Sequence, residues 1–311
     1  MAPCSFQLSQ FQLSAFPPRC DFAFAVQDYD LDATLTSGQV FGWEPRAESW
    51  IGVVNGRWVK LTQTPRRGII LAQTAEPQTE WSWLADYLQA GVDLDQILAT
   101  FPTDPESRAW RDAAIESCRG LRLLRQDPWE CLASFILSST KQIVQIRQIV
   151  AVLRARFGSP VVVPAGERPA FAFPSARRLA AATATELREC KMGFRAPYLL
   201  ATAQRIASGQ CDLASLRQMR VADARAELVK LPGVGDKIAD CVLLFAYGFR
   251  TVFPIDVWIA KALRKYYFRG RHVRAIRLRH YVVNRFGPHA GYAQQYLFHY
   301  IRTKGRVTGD T

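Results

Sequence analysis

A change in hydrophobic period after Pro77 constrains this chain more than any other feature. From Leu31 onward, short runs alternate apolar and polar residues, at Leu31 to Thr36, Val40 to Glu44, Trp50 to Val54, Trp58 to Thr62 and Gly68 to Gln73. Asn55-Gly56, the pair most favoured in a two-residue hairpin, lies between two of them. These runs predict an antiparallel sheet. After Pro77 the period lengthens: Trp81, Trp83, Leu84, Tyr87 and Leu88 share a broad apolar face, and helices are predicted over Val92 to Leu98 and Ser107 to Cys118. Beyond that point every periodic stretch reads as helix, from Trp129 to Ser138 through Ala176 to Cys190 and on to His289 to Thr303. Only the proline- and alanine-rich stretch Val161 to Phe173 interrupts them, as a connecting loop. The fold class is therefore α+β, with an antiparallel-sheet domain and its flanking helices over residues 1–118 and an all-α region over 119–311. Residues 1–28 have little periodicity, yet Phe6, Phe11, Phe16, Phe22 and Phe24 are too apolar for a free tail, so part of this segment is expected to pack on the sheet.

Charge narrows the partner. The formal net charge is +13 with a pI near 9.7, which favours a polyanion, nucleic acid ahead of a membrane surface. Between Asp256 and Asp310 there is no acidic residue, while twelve lysines and arginines fall in that interval. A one-sign stretch of this kind is an electrostatic footprint, whereas an ordinary solvated face mixes signs. Tyr266, Tyr267 and Phe268 sit among these charges and are expected in the core. No apolar run approaches the length of a membrane span and no signal-peptide pattern opens the chain. A soluble, monomeric, intracellular protein is expected, with bacterial cytoplasm and eukaryotic nucleus both open. Seven scattered cysteines form no C-x-x-C pair, which points to reduced thiols and to no metal or cofactor site.

The chemistry centres on Leu231-Pro232-Gly233-Val234-Gly235-Asp236-Lys237, set between two helix-periodic runs. Pro232 and Gly233 end the first helix, and Gly235 clears the approach to the first amides of the second, where free N–H groups and the helix dipole suit a phosphate oxygen. A plain interhelical turn fits the same residues. Lys237, in the first turn, faces the positive end of the helix dipole, an unfavourable place for an ammonium, and the neutral amine is the form that attacks a sugar carbon to give a Schiff base. Simple phosphate contact is the alternative reading. Asp256, after Phe253-Pro254-Ile255, is placed as the N-cap of the next helix and, in the same position, as a carboxylate for oxocarbenium stabilisation or proton transfer.

The span from Leu228 to Asp256 resembles the helix-hairpin-helix signature of the DNA glycosylase superfamily, with hairpin, lysine and later aspartate in the family's order. Leu31 to Trp43, Leu121 to Pro128 with Glu130-Cys131-Leu132, and Gly287 to Gln294 are similar to one branch, the 8-oxoguanine DNA glycosylases that also cleave the abasic site. That resemblance implies a bifunctional glycosylase/AP lyase acting on double-stranded DNA that contains oxidised guanine. It makes Lys237 the nucleophile at C1′ and Asp256 its carboxylate. It implies that the Gly38 carbonyl accepts the N7 hydrogen peculiar to 8-oxoguanine, that Gln294 reads the pairing edge, and that Phe298 and Cys241 sandwich the ring; for the last two, ordinary helix core is the alternative. Gly233, Val234 and Gly235 become the phosphate-binding turn, and Arg195 an arginine directed at the orphaned base, where it would otherwise be a surface charge.

The chain departs from the family's pattern across the duplex. Thr140-Lys141-Gln142 replaces a run of asparagines, and Gln145 replaces an arginine. Thr140 cannot pair with cytosine as an asparagine does. Trp258 stands where the family has a histidine near the phosphates. Weakened preference for cytosine opposite the lesion is the expectation. A superfamily glycosylase for another damaged base and a non-catalytic DNA-binding protein are the competing readings.

Overall fold

The computed structural model describes residues 18–139 and 141–303. A five-stranded antiparallel sheet runs in the order β1-β5-β4-β3-β2, built from β1 (Arg19–Ala25), β2 (Trp43–Arg46), β3 (Ser49–Val54), β4 (Arg57–Gln63) and β5 (Ile69–Gln78). Asn55 and Gly56 both take positive φ, +49° and +74°, between the paired Val54 and Arg57, as a primed two-residue turn requires. The sheet buries Val59, Leu61, Ile70 and Ala72 completely. Helix α2 (Ser82–Leu88) sets Leu84 and Leu88 into the same cluster. Within the segment that lacked periodicity, β1 is the edge strand, with Phe24 facing this cluster.

Leu31 to Thr36 corrects the sequence reading. It is helix α1 (Leu31–Thr36), capped by Asp30, whose Oδ1 accepts from Ala33 N at 2.8 Å. Six residues are too few to separate a period of two from one of 3.6. The helix is also wedged between two cores, which removes the polar face that would have betrayed it: Leu31 and Leu35 join the sheet's cluster while Ala33 joins the helical one. Val40 to Gly42 likewise precede the strand, which begins at Trp43.

The larger core belongs to helices. α3 (Leu94–Leu98) and α4 (Pro105–Cys118) bury Ile97, Trp110 and Ala114 in it, together with α5 (Pro128–Leu137) and α6 (Ile143–Phe157). A two-residue ribbon, β6 (Pro160–Val161) with β7 (Ala170–Phe171), lies inside the stretch expected as loop. The helix predicted over Ala176 to Cys190 is broken into α7 (Ala176–Ala180) and α8 (Ala184–Leu187) by the Thr183 capping box, and a wide turn follows over Arg188–Met192. Then come α9 (Ala196–Ala207), α10 (Val221–Val229), α11 (Asp236–Val242, continued by a wide turn to Tyr247), α12 (Val257–Tyr267), α13 (Ala275–Arg285) and α14 (Ala290–Thr303). Tyr267 is packed inside, its hydroxyl 2.8 Å from both Ser107 Oγ and Trp110 Nε1. Among the described residues no helix is long and apolar enough to cross a membrane, and no group of three or more His, Cys, Asp and Glu could hold a metal ion.

Candidate active site

The hairpin between α10 and α11 is held from below by α9. Thr202, fully buried, donates to the Pro232 carbonyl at 2.9 Å, and Arg205 Nη1 donates to the Lys230 carbonyl at 2.7 Å. Gly233 has φ +78°, and a Cβ there would lie 2.7 Å from Tyr198 Cβ, so the turn admits glycine alone without rearrangement. Val234 is buried and its amide is spent within the turn on Leu231 O at 3.1 Å. Gly235 differs: a Cβ on it would meet nothing within 4 Å, so no protein contact demands glycine there. It is the N-cap of α11 and no side chain caps the helix, which leaves first-turn amides for an outside acceptor. Asp236, an anion beside that site, is ion-paired with Arg279 from α13.

Lys237 extends from the first turn of α11 to the far end of α5. Its Nζ donates to Ser138 Oγ at 3.3 Å and lies 5.1 Å from the Phe135 ring centroid. Ser138 in turn donates to the Phe135 carbonyl at 2.7 Å, so the hydroxyl has its lone pairs toward the lysine. Asp256 is the N-cap of α12, accepting from Ile259 N at 2.8 Å. Burial raises its carboxyl above the usual aspartate range, against the pull of the Ile259 amide, Lys237, the Trp258 amide and Arg302. Lysine and aspartate thus feel each other's charge, and the N-cap role coexists with the placement beside the amine. Cys241, one turn after Lys237, is buried, and burial pushes its thiol up to about 12 despite the lysine nearby, so it remains protonated.

Gly38 follows α1 with φ +81°. A Cβ there would stand 2.6 Å from Ile143 Cδ1, 3.3 Å from Phe298 Cε1 and 3.4 Å from Arg302 Nη1, which brings the Gly38 loop against α14. On α14, Gln294 is 5% exposed and its Oε1 is buried without a hydrogen-bond partner. A buried acceptor left unpaired costs free energy unless a ligand satisfies it. Gly38, Phe298 and Arg302 are thus neighbours, Arg302 and Lys237 act on the charge of Asp256, and Lys237 and Asp256 act on Cys241, while Gln294 lies one turn before Phe298 on α14.

Comparison with known proteins places the chain in a family. Residues 21–132 match the 8-oxoguanine DNA glycosylase N-terminal domain, and residues 133–282 match the HhH-GPD superfamily of base excision DNA repair proteins. The N-glycosylase/DNA lyase OGG1 of Arabidopsis thaliana is 30% identical over 292 residues, covering 86% of this chain and 76% of that protein. The chain belongs to the 8-oxoguanine DNA glycosylase family. Solved relatives have the same fold: MBOgg1 in complex with a low-affinity DNA ligand superposes with a TM-score of 0.84 at 30% identity, over 93% of this chain and 98% of that one. The Clostridium acetobutylicum 8-oxoguanine glycosylase/lyase, bound to double-stranded DNA with cytosine opposite 8-oxoG, gives 0.80 at 28%, over 89% and 93%.

The residues expected to face the opposite strand of this DNA glycosylase are less uniformly placed. Gln145 spends its side chain locally: its Oε1 accepts from Gln142 N at 3.1 Å, half of a capping box at the start of α6. Arg195 is folded into its own turn, 3% exposed, with Nη1 3.4 Å from Met192 O and its guanidinium 4.2 Å from the Phe194 ring centroid. Phe194 is the exposed member of that turn, at 60%. Thr140 lies outside the described residues. Trp258 is exposed at the start of α12, next to Asp256.

Sequence reasoning missed the groups that fix the Gly38 loop. Gln39, fully buried, donates to Thr34 O, Ser37 Oγ and Arg122 O, accepts from Leu124 N at 2.8 Å, and offers its own carbonyl to Gln126 Nε2 at 2.8 Å. Gln295 donates to Ser37 O at 2.9 Å. The only signal was polar residues at positions where an apolar run or a helix core would want none.

Proposed function

We propose that this glycosylase excises 8-oxoguanine from duplex DNA and cleaves the resulting abasic site, with Lys237 as the nucleophile at C1′. The observation that carries the reading is the juxtaposition of Lys237 with Asp256 at the edge of a site bordered by Gly38, Phe298 and Cys241. The hairpin amides near Gly235 dock a backbone phosphate, and the target nucleotide leaves the base stack, because a stacked base puts C1′ out of the amine's reach. The base enters between Phe298 and Cys241. Gly38, held by the Gln39 and Gln295 hydrogen bonds, presents its carbonyl to N7–H, a donor that guanine lacks, and Gln294 takes the pairing edge with its unsatisfied oxygen.

Lys237, as the neutral amine, forms the bond to C1′ as the C1′–N9 bond breaks, and ionised Asp256 stabilises positive charge developing on the sugar. Opening of the sugar ring gives an imine between Nζ and C1′, and loss of a C2′ proton expels the 3′ phosphate by β-elimination. Borohydride reduction of the imine tests the assignment. Wild-type protein should be trapped covalently on 8-oxoguanine duplex and Lys237→Gln should not. A persistent adduct in that variant would reject Lys237, and trapping on alkylated bases with none on 8-oxoguanine would move the enzyme to another substrate class.

A further inference from the structure

One cation in this site has no assigned task. Gln294, Phe298 and Arg302 recur every four residues on α14 and so lie along one stripe of the helix. Arg302 lays its guanidinium 5.2 Å from the Phe298 ring centroid, and its Nη1 stands 3.4 Å from where a Gly38 Cβ would be. Asp256 and Arg302 act on each other's charge, yet among the described residues no carboxylate lies within ion-pair distance of the guanidinium. An exposed planar cation over an aromatic ring, whose N–H groups make no hydrogen bond among the described residues, can donate to an acceptor brought by the ligand. Arg147, the other arginine that acts on it, is tied by Nη2 to Leu35 O at 3.1 Å.

We propose that Arg302 donates a hydrogen bond to O8 of the extruded base and stabilises the base as it leaves. The inference rests on the reading of this site as an oxidised-guanine pocket. In 8-oxoguanine the C8 carbonyl adjoins N7–H, so a base that presents N7–H to the Gly38 carbonyl presents O8 to a donor beside Gly38, where Arg302 lies. The chemistry gives that donor a second use. When the C1′–N9 bond breaks, its electron pair passes to N9 and is delocalised through C8 onto O8. The new bond at C1′ is made by Lys237, whose amine loses two protons on becoming an imine nitrogen, one taken up by the departing base at nitrogen and the other by O4′ as the sugar ring opens. Negative charge therefore grows on O8 in the transition state, and a guanidinium fixed there strengthens its bond as the base departs.

Single-turnover base excision from 8-oxoguanine duplex and strand cleavage at a preformed abasic site, measured on the same variants, separate this role from others. Arg302→Met is expected to slow excision about 100-fold, the usual loss for one donor to a developing anion. Cleavage of the abasic duplex, which has the phosphates but no base, should fall far less, and Arg302→Lys should lie between Met and wild type in excision. Equal loss in both reactions would assign Arg302 to the DNA backbone or to the fold, and undiminished excision would remove it from the reaction; either overturns the proposal. Failure of the wild type to excise 8-oxoguanine would instead overturn the underlying reading of the pocket.

Discussion

Gly38→Ala puts the proposed recognition element under a defined load. At φ +81° an alanine costs about 1–2 kcal/mol relative to glycine. Its Cβ would also stand 2.6 Å from Ile143 Cδ1, but that atom is the far end of a half-buried side chain, so Ile143 can turn aside at small cost and the backbone conformation carries most of the load. This load of about 1–2 kcal/mol can be met in two ways. If the loop stays in place, held by Gln39 and Gln295, the folded state bears the cost, and for a chain of 311 residues the midpoint of thermal unfolding drops by about 1.5–3 °C. If the loop yields, the carbonyl swings away from N7 and the cost appears in the reaction, as a loss of about 5- to 30-fold in single-turnover excision. In both cases the new methyl also intrudes between Phe298 and Arg302, at 3.3 and 3.4 Å, so the pocket narrows. Excision and thermal unfolding should be measured together. Full stability with full excision of 8-oxoguanine, still discriminated from guanine, would refute the claim that this carbonyl and its surroundings select the base.

Two further outcomes follow from the same geometry. With Gln145 committed to the capping box of α6 and Arg195 folded into its turn, excision rates on duplexes carrying each of the four bases opposite 8-oxoguanine should lie within about tenfold of one another, the effect of one weak contact of roughly 1.4 kcal/mol; strict dependence on cytosine would sink this. The pH profile should report Asp256: its carboxyl is raised by burial, so the ionised form needed at the sugar is lost at a higher pH than for an exposed aspartate, and the acid limb of excision shifts upward. The residual excision of Asp256→Asn should lack that limb, and an unchanged limb would show that another group titrates there.

What the sequence disclosed and what it withheld divide along a physical line. The hairpin and the N-cap aspartate were legible because each follows from local chemistry, whereas the role of Lys237 rested on the family resemblance. Pro232 and Gly233 must turn the chain, an uncapped helix start must find acceptors, and an aspartate before Val257 caps its helix whatever lies across the cleft. The antiparallel strands were legible through Asn55-Gly56 and a period of two. Features set by distant partners were not. Six residues of α1 carry no usable period because cores on two sides bury them. Gln145 reads as a polar replacement for a DNA contact until its bond to Gln142 N is seen, a bond that occupies its side-chain oxygen. Arg302 reads as one of twelve uncompensated cations, and only its approach to Gly38, from the other end of the chain, separates it from the eleven that need not touch the base. If Arg302 meets the base as proposed, the one-sign stretch after Asp256 mixes two functions, a general field that draws DNA at long range and falls with salt, and one arginine whose contribution, set by contact with a buried atom of the base, should survive added salt.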